Sequence, residues 1–417
     1  MKTQKVSLVF AVLFLIILVN CTHDDAPTIT PIDPGVGQSS DVLLVKRFST
    51  TPVFDGEIDD VWEEARPLIN KATVSSAGDR IIPLNSSSNG DASVEPKDLM
   101  DPYTGEVYKY KLRGGHDGEF LYLLFEWEDE ADSRDRQSWY FNATTSKWQQ
   151  ENKYANHKND KFYEDKFAMM FPIKVNGSFP EGFAGGTCTV TCHTGLINPQ
   201  PGQKTTRHYM SNTGELADLW HWKRDRNELS QSVDDGYVRD ADGKEGTAAA
   251  NGRKADEGIG MYSTSMKFTD GATGFSGPKY VIKNRDYYYW ITQAEIDNGT
   301  AVAVTGVAAN GVLTLADGST LDPNGDPDYF QGFGSKRMPS IIINPGGAGN
   351  DHRSETQVRA KHVGSGWQLE IKRKLNTGDP NDAVFVLGEE IPFGLVIFNN
   401  AAIGHAQSNF LTMKFEN

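Results

Sequence analysis

Cysteine is scarce: three in 417 residues, at positions 21, 188 and 192. That number excludes a scaffold stapled by several disulfides and a multi-zinc protein built on thiolates. Lys/Arg-rich runs are missing, and 41 basic against 56 acidic residues leave a formal net charge of −15. Such a chain repels a phosphate backbone, so nucleic acid is not an expected partner. There is no Ser/His/Asp motif, no phosphate-binding glycine loop and no HExxH pair, so hydrolase and kinase chemistry has no support. Long apolar runs are lacking after the N-terminus. The one extended run, Val6 to Val19, is short and follows Lys2 and Lys5. That layout is a signal-peptide core and not a comfortable membrane span.

The run ends at Leu18-Val19-Asn20-Cys21. The tetrapeptide resembles a bacterial lipobox, with Asn20 where a small residue is usual. Cleavage there makes Cys21 a lipidated first residue; the rival reading is an ordinary secreted protein in which Cys21 is incidental. Residues 1–20 are then the signal peptide, and residues 21–40, rich in Asp, Pro, Thr and Ser, form a flexible tether. Residues 41–417 are the body, lipid-anchored in the cell envelope on the periplasmic or outer-membrane side.

The body has 41 glycines and 11% aromatic residues, a balance that suits an all-β globule with many turns. Strands are expected at Val42 to Phe48, Val107 to Leu112, Phe120 to Trp127, Asp165 to Pro172, Tyr280 to Ile282, Tyr287 to Ile291, Trp367 to Arg373, Ile391 to Phe398 and Thr412 to Phe415. The second and third of these read as a hairpin across Gly114-Gly-His-Asp-Gly118. Ile58 to Ala65 reads as one helical turn with Trp62 buried. In the seventh, Trp367, Leu369 and Ile371 share one face; Gln368, Glu370 and Lys372 share the other. Segments 236–258 and 298–334 read as insertions too polar for cores of their own. Asp234-Asp235 and the group Asp55, Asp59, Asp60 carry calcium-type ligands, but without an intact EF-hand loop they read as solvated turns.

The chemistry centres on Gly185-Gly-Thr-Cys188-Thr-Val-Thr-Cys192-His193. Two thiols followed directly by a histidine form the attachment motif of a c-type haem: the thiols add to the vinyl groups and the histidine ligates the iron. The spacing here has three residues between the cysteines, a rarer variant than two. A Cys188–Cys192 disulfide and a thiolate/histidine metal site are the rival readings. For the second axial position, His405 follows the hydrophobic strand at 391–398. Met210 and then His208 are the alternatives. His116 reads as a turn residue. His221, between Trp220 and Trp222, reads as a core or pocket-wall residue. The two indoles read as pocket wall or core, and Asp218 as a surface or capping residue that could alternatively orient a ligand histidine.

Six segments in order carry a resemblance: Phe54-Asp-Gly-Glu-Ile-Asp-Asp-Val-Trp62, Glu119 to Trp127, Glu164 to Pro172, Ala217 to Lys223, Trp367 to Gly378 and Phe393 to Asn400. Together they resemble the haem-binding domain related to the γ subunit of ethylbenzene dehydrogenase. That family includes haem-binding subunits of DMSO-reductase-type enzymes and free-standing cytochromes. The resemblance implies an immunoglobulin-like β sandwich, of the kind shared with DOMON and family 9 carbohydrate-binding modules, with long loop insertions and haem at one end. In the dehydrogenase subunit the haem is not covalently held, and its ligands are a methionine and a lysine. Here the Cys188…His193 motif occupies the first region and His405 the second. The expectation is therefore one covalent haem c, with His193 and His405 as axial ligands. The protein is expected to be a membrane-tethered electron carrier and not a catalyst. Its partner would be a DMSO-reductase-type oxidoreductase or another envelope electron-transport protein. The rival function is a surface carbohydrate- or ligand-binding lipoprotein with a Cys188–Cys192 disulfide.

Overall fold

The computed structural model describes residues 41–73, 106–150, 163–180, 183, 209–210, 212–240, 252–263, 266–283, 285, 289–324, 337–401, 405–408 and 410–416. Thirteen strands form one continuous sheet that folds back on itself. They are β1 (Val42–Arg47), β2 (Leu68–Thr73), β3 (Val107–His116), β4 (Phe120–Glu128), β5 (Lys166–Ile173), β6 (Leu216–Lys223), β7 (Asp234–Arg239), β8 (Arg253–Ala255), β9 (Gln357–His362), β10 (Gly366–Lys374), β11 (Glu390–Phe398), β12 (Ala406–Gln407) and β13 (Leu411–Phe415). The order is β8-β7-β6-β5-β11-β12-β2-β3-β4-β10-β9, with β1 and β13 joining β3 to β11 by a second route. The expected all-β sandwich is observed.

The two halves face each other across an aromatic core. Phe125 on β4 meets Phe167 on β5 with ring centroids 4.6 Å apart, and Trp222 on β6 meets Trp367 on β10 at 5.0 Å. Trp127 lies between them, 6.0 Å from Trp367 and 6.3 Å from Trp222. Each such pair adds about 0.5–1.5 kcal/mol beyond simple burial. The far edges also approach: Val233 N–H donates to Thr356 O at 2.9 Å and Val358 N–H to Gln231 O at 2.8 Å. The sandwich is thus joined along both sides, which leaves few open strand edges.

Most expected strands are found within a residue or two. The differences have physical causes. Gly114, Gly115 and His116 belong to β3 and not to the turn, because β1 pairs in parallel with them. A Cβ at Gly115 would lie 2.0 Å from the Phe48 ring, so glycine is required by packing. His116 is correspondingly buried, with Nε2 3.0 Å from Glu416 O. Segment 298–334 does contribute to a core. Val304, Val307, Leu313, Leu315 and Leu321 pack with Trp139, Phe141 and Trp148 of a hairpin distant in sequence. Of the expected strand at 287–291, residues 287–288 lie outside the described set, and only Ile291–Thr292 is extended.

The alternation in β10 is as expected, but its polar face is not all solvated. Glu370 is buried and accepts from Gly56 N–H at 2.8 Å, Asp55 N–H at 3.2 Å and Trp62 Nε1–H at 3.1 Å. One carboxylate therefore docks the Phe54–Ala65 segment, whose Trp62 stacks edge-on against Phe48 at 5.3 Å. Glu370→Gln turns a donor toward a site built from donors. It is expected to cost about 1–3 kcal/mol in urea unfolding; an unchanged midpoint would show that the segment docks through apolar contact alone.

Candidate functional site

Strand β6 reads Leu-Ala-Asp-Leu-Trp-His-Trp-Lys, and side chains alternate between faces at every residue. Asp218, Trp220 and Trp222 turn inward, and both indoles join the central core. Leu219, His221 and Lys223 turn outward into an open cavity of about 380 Å³. The indoles are therefore core residues that do not line this cavity, while His221 does. Asp218 neither caps a turn nor orients a histidine. It is buried in the interior, accepting from Ala383 N–H at 3.0 Å and from Arg373 at 3.2 Å.

The cavity is cationic in a protein that is acidic overall. Lys166, Lys223, Arg226, Arg253, Lys254 and Arg353 line it, against Asp234 and Asp235. Lys223 and Arg353 both pair with Asp234, the latter at 2.7 Å. Burial pushes the Asp234 carboxyl up, but these two cations outweigh it and hold the group below the ordinary carboxylate range. Arg226 pairs with the buried Glu164 and lies over the Tyr262 ring at 4.9 Å. Lys166 is buried, with Nζ 4.0 Å from the Phe398 ring centroid. Its burial, with Arg226 nearby, drives its pKa well down. None of these cations was singled out as a site residue from the sequence. The nearest signal was Lys223-Arg-Asp-Arg226, which reads as an ordinary charged turn.

His221 stays neutral. Burial and the neighbouring Lys223 and Arg253 hold its pKa well below the usual histidine value. Arg253 Nη2 lies 2.7 Å from His221 Nδ1. A guanidinium can only donate, so Nδ1 is the acceptor and Nε2 carries the proton. That Nε2 is buried with no hydrogen-bond partner. With its proton on Nε2, this tautomer makes the ring a donor, not a metal ligand.

Beside the cavity, the outer face of β5, β6, β7 and β11 is apolar. Ala168, Met170, Leu219, Val238 and Val396 form a patch, with Phe398 packed against it. Outer sandwich faces are commonly polar; here Phe183 and Met210 cover the patch. Met210 is thereby a buried packing residue, its N–H donating to Arg239 O at 2.9 Å. Half-buried His405 lies against Phe398, ring centroids 4.8 Å apart, and His221 stacks on the same ring at 5.9 Å. The structure thus gathers His405, His221, Phe398, Lys166 and Met210 around one corner of the sheet. Cys21, Cys188, Cys192, His193 and His208 lie outside the described residues. Among the described residues no helix is long and apolar enough to cross a membrane.

Comparison with known proteins places the chain. The sequence model of the ethylbenzene dehydrogenase family matches residues 59–409. This protein belongs to the ethylbenzene dehydrogenase family. No curated protein matches its sequence. Among solved structures it is similar to a family 9 carbohydrate-binding module from Caldicellulosiruptor kristjanssonii in complex with glucose. That match has 8% identity and a TM-score of 0.26, over 90% of this chain and 96% of the module. It is also similar to a Bacteroides uniformis protein proposed by its description to bind carbohydrate, with 7% identity and a TM-score of 0.31, over 90% and 99% of the two chains. Scores this low carry no argument about function. The family frame bounds what the cavity belongs to: a subunit-type domain.

The buried neutral His221 has a pH consequence. In the unfolded chain it titrates near 6.5, and in the fold far lower, so below that value only the unfolded chain takes up the proton. Its contribution to stability is present above about pH 6.5 and is lost as pH falls. Between pH 7 and pH 5 the parent is expected to lose about 2 kcal/mol more than His221→Gln in urea unfolding. An equal loss in both would show that the ring takes up a proton in the fold.

Proposed function

We propose that this family member carries one covalent haem c and relays single electrons in the cell envelope, tethered to a membrane through Cys21. The observation that supports the reading is where the chain leaves and re-enters the described structure. Phe183 and Met210 flank the segment that contains Cys188, Cys192 and His193, and both pack on the apolar patch beside Phe398 and His405. The described residues on either side of the motif-bearing segment, Phe183 and Met210, thus share a face with the candidate distal histidine.

The residues present fit a haem. An apolar sheet face suits the macrocycle, and the adjoining cations Arg226, Arg253 and Lys254 suit its two carboxylates. Cys188 and Cys192 would hold the ring edge, and His193 and His405 the iron, with Met210 and then His208 as the alternative distal ligands. When bound, haem supplies a one-electron redox centre whose potential follows its axial ligands and its burial. The protein's own part is to exclude water with Phe183, Met170 and Phe398, and to neutralise the carboxylates. Were His193 and His405 both to hold the iron, no position would be left on it for substrate. The chain then acts as a relay beside a partner, such as a molybdenum oxidoreductase of the DMSO-reductase type, and not as the catalyst.

The carbohydrate-binding alternative has less support in the cavity. Neutral sugars are held largely by exposed aromatic faces, and seven of the eight tryptophans are buried. The cavity is instead lined by six basic side chains.

Protein produced with the c-haem maturation machinery tests the reading. The parent is expected to show a pyridine haemochrome and a reduced-minus-oxidised cytochrome spectrum. The double variant Cys188→Ala/Cys192→Ala is expected to lose covalent haem. His405→Ala is expected to convert a low-spin iron to one that binds carbon monoxide. A colourless parent with a Cys188–Cys192 disulfide would overturn the reading and favour a surface binding protein.

A further inference from the structure

The cavity outside β6 and β7 gathers cations faster than it gathers carboxylates. Lys223 and Arg353 share one carboxylate, Asp234. Arg226 pairs with Glu164, which Arg136 also approaches at 3.9 Å. Asp235 borders the cavity but turns its Oδ2 to Thr356 in the interior. Lys254, on the edge strand β8, is exposed and has no ion-pair partner among the described residues. Gly236 brings that strand close, since a Cβ there would lie 2.3 Å from Lys254 O. Loss of a proton relieves Lys166, whose burial drives its pKa well down. It does not relieve Arg226 or Arg353, because a guanidinium keeps its proton in a protein.

A set of unfilled donors is the independent observation. Arg353 uses Nε on Asp234 at 2.7 Å, and its two terminal nitrogens have no partner among the described residues. Arg226 uses Nε on Glu164 and places Nη2 3.5 Å from Tyr163 OH, which leaves Nη1 without a partner among the described residues. His221 on the cavity wall is 8% exposed, and its Nε2–H is buried with no acceptor. These groups converge around Tyr262. Arg226 Cζ and Lys223 Nζ lie 4.9 and 5.1 Å from its ring centroid, and its hydroxyl donates to Asp234 at 3.3 Å. Lys223 first, then Arg226, pulls the Tyr262 hydroxyl below its ordinary pKa, so the ring senses the same positive field that keeps His221 neutral.

We propose that this cavity is an oxyanion site, taking a phosphate or carboxylate group on Arg226, Arg353 and His221 Nε2–H, with Lys254 as an exposed fourth cation. Guanidinium forks match the oxygen pairs of both anions. Asp234 does not block such a ligand. Its oxygens already accept from Lys223, Arg353 and Tyr262, so it positions the cations. The volume of about 380 Å³ is that of a small-molecule site and exceeds one phosphate, so the anionic group belongs to a larger body or enters with water. Two sources supply that chemistry: the carboxylates of a haem on the adjoining apolar patch, or a free small oxyanion. The site rests on the cavity's own donors and stands whether or not the haem reading does.

The test uses the full-length protein, with inorganic phosphate alone as the probe. The chain made without haem is expected to bind one phosphate in calorimetry, and its Tm is expected to rise with phosphate concentration. Lys254→Glu alters an exposed side chain with no partner, so that variant should fold; it is expected to weaken binding about tenfold. Arg353→Gln is expected to do the same. Lys71→Glu on β2 makes the same change in net charge and is expected to leave binding unaltered. The haem-loaded chain distinguishes the sources. Phosphate binding that survives haem loading identifies a free oxyanion. Binding lost on loading, with a reduction potential lowered by Lys254→Glu, identifies the haem carboxylates. Phosphate bound by neither form, with a potential that Lys254→Glu leaves unchanged, would overturn the site. So would phosphate binding that Lys254→Glu and Arg353→Gln both leave intact.

Discussion

The period of two along Leu216–Lys223 is the constraint on which the rest depends. A strand buried on both faces must send its residues alternately to two environments. Here those environments have opposite chemistry. Trp220 and Trp222 go inward and lock the two halves of the sandwich against Trp127 and Trp367. Asp218 goes inward with them and meets Arg373. Leu219, His221 and Lys223 go outward to the cavity. A slip of one residue would put the indoles in the cavity and the lysine in the core, so the aromatic packing also fixes the electrostatics.

The neighbouring strand repeats the division. Asp234 pairs in register with His221 and Asp235 with Trp220. Asp234 therefore faces the cavity, where Lys223 and Arg353 hold it ionised, and Asp235 faces the interior acids. Two adjacent aspartates that read as a solvated turn are in fact both buried in a strand. The sheet tolerates them because each has a partner supplied from elsewhere: Lys223 and Arg353 for one, Thr356 for the other. A net charge of −15 did not foretell a cationic cavity, since composition averages over the surface and the cavity concentrates one sign.

The apolar patch on the outer face depends on a cover that arrives from elsewhere in the chain. Ala168, Met170, Leu219 and Val396 would be an exposed liability without Phe183 and Met210 over them. That cover comes from Phe183 and Met210, residues 27 positions apart in the chain that pack on the same patch. The corner at Phe398 then brings together a histidine from after β11, a lysine from β5 and a histidine from β6, far apart in sequence.

The sequence by itself determined the all-β class, most strand positions and the inward set Trp367, Leu369 and Ile371. These follow from local periodicity and from side-chain shape, which a strand of any fold must satisfy. It also marked the family, through ordered short segments, and His405 as a residue just past a rigid strand. It did not show β6 and β7 as strands, because their Asp, Gly, His and Lys residues carry turn and surface signals when no partners are in view. Only the tertiary structure decided that Glu370 is a buried anchor, that six basic side chains share one cavity and that Asp218, Asp235 and Asp382 meet. Each of those depends on contacts between segments far apart in the chain, by as many as 315 residues for Asp55 and Glu370. A charged residue is buried or solvated according to the partner that arrives, and the partner is not written in its neighbours.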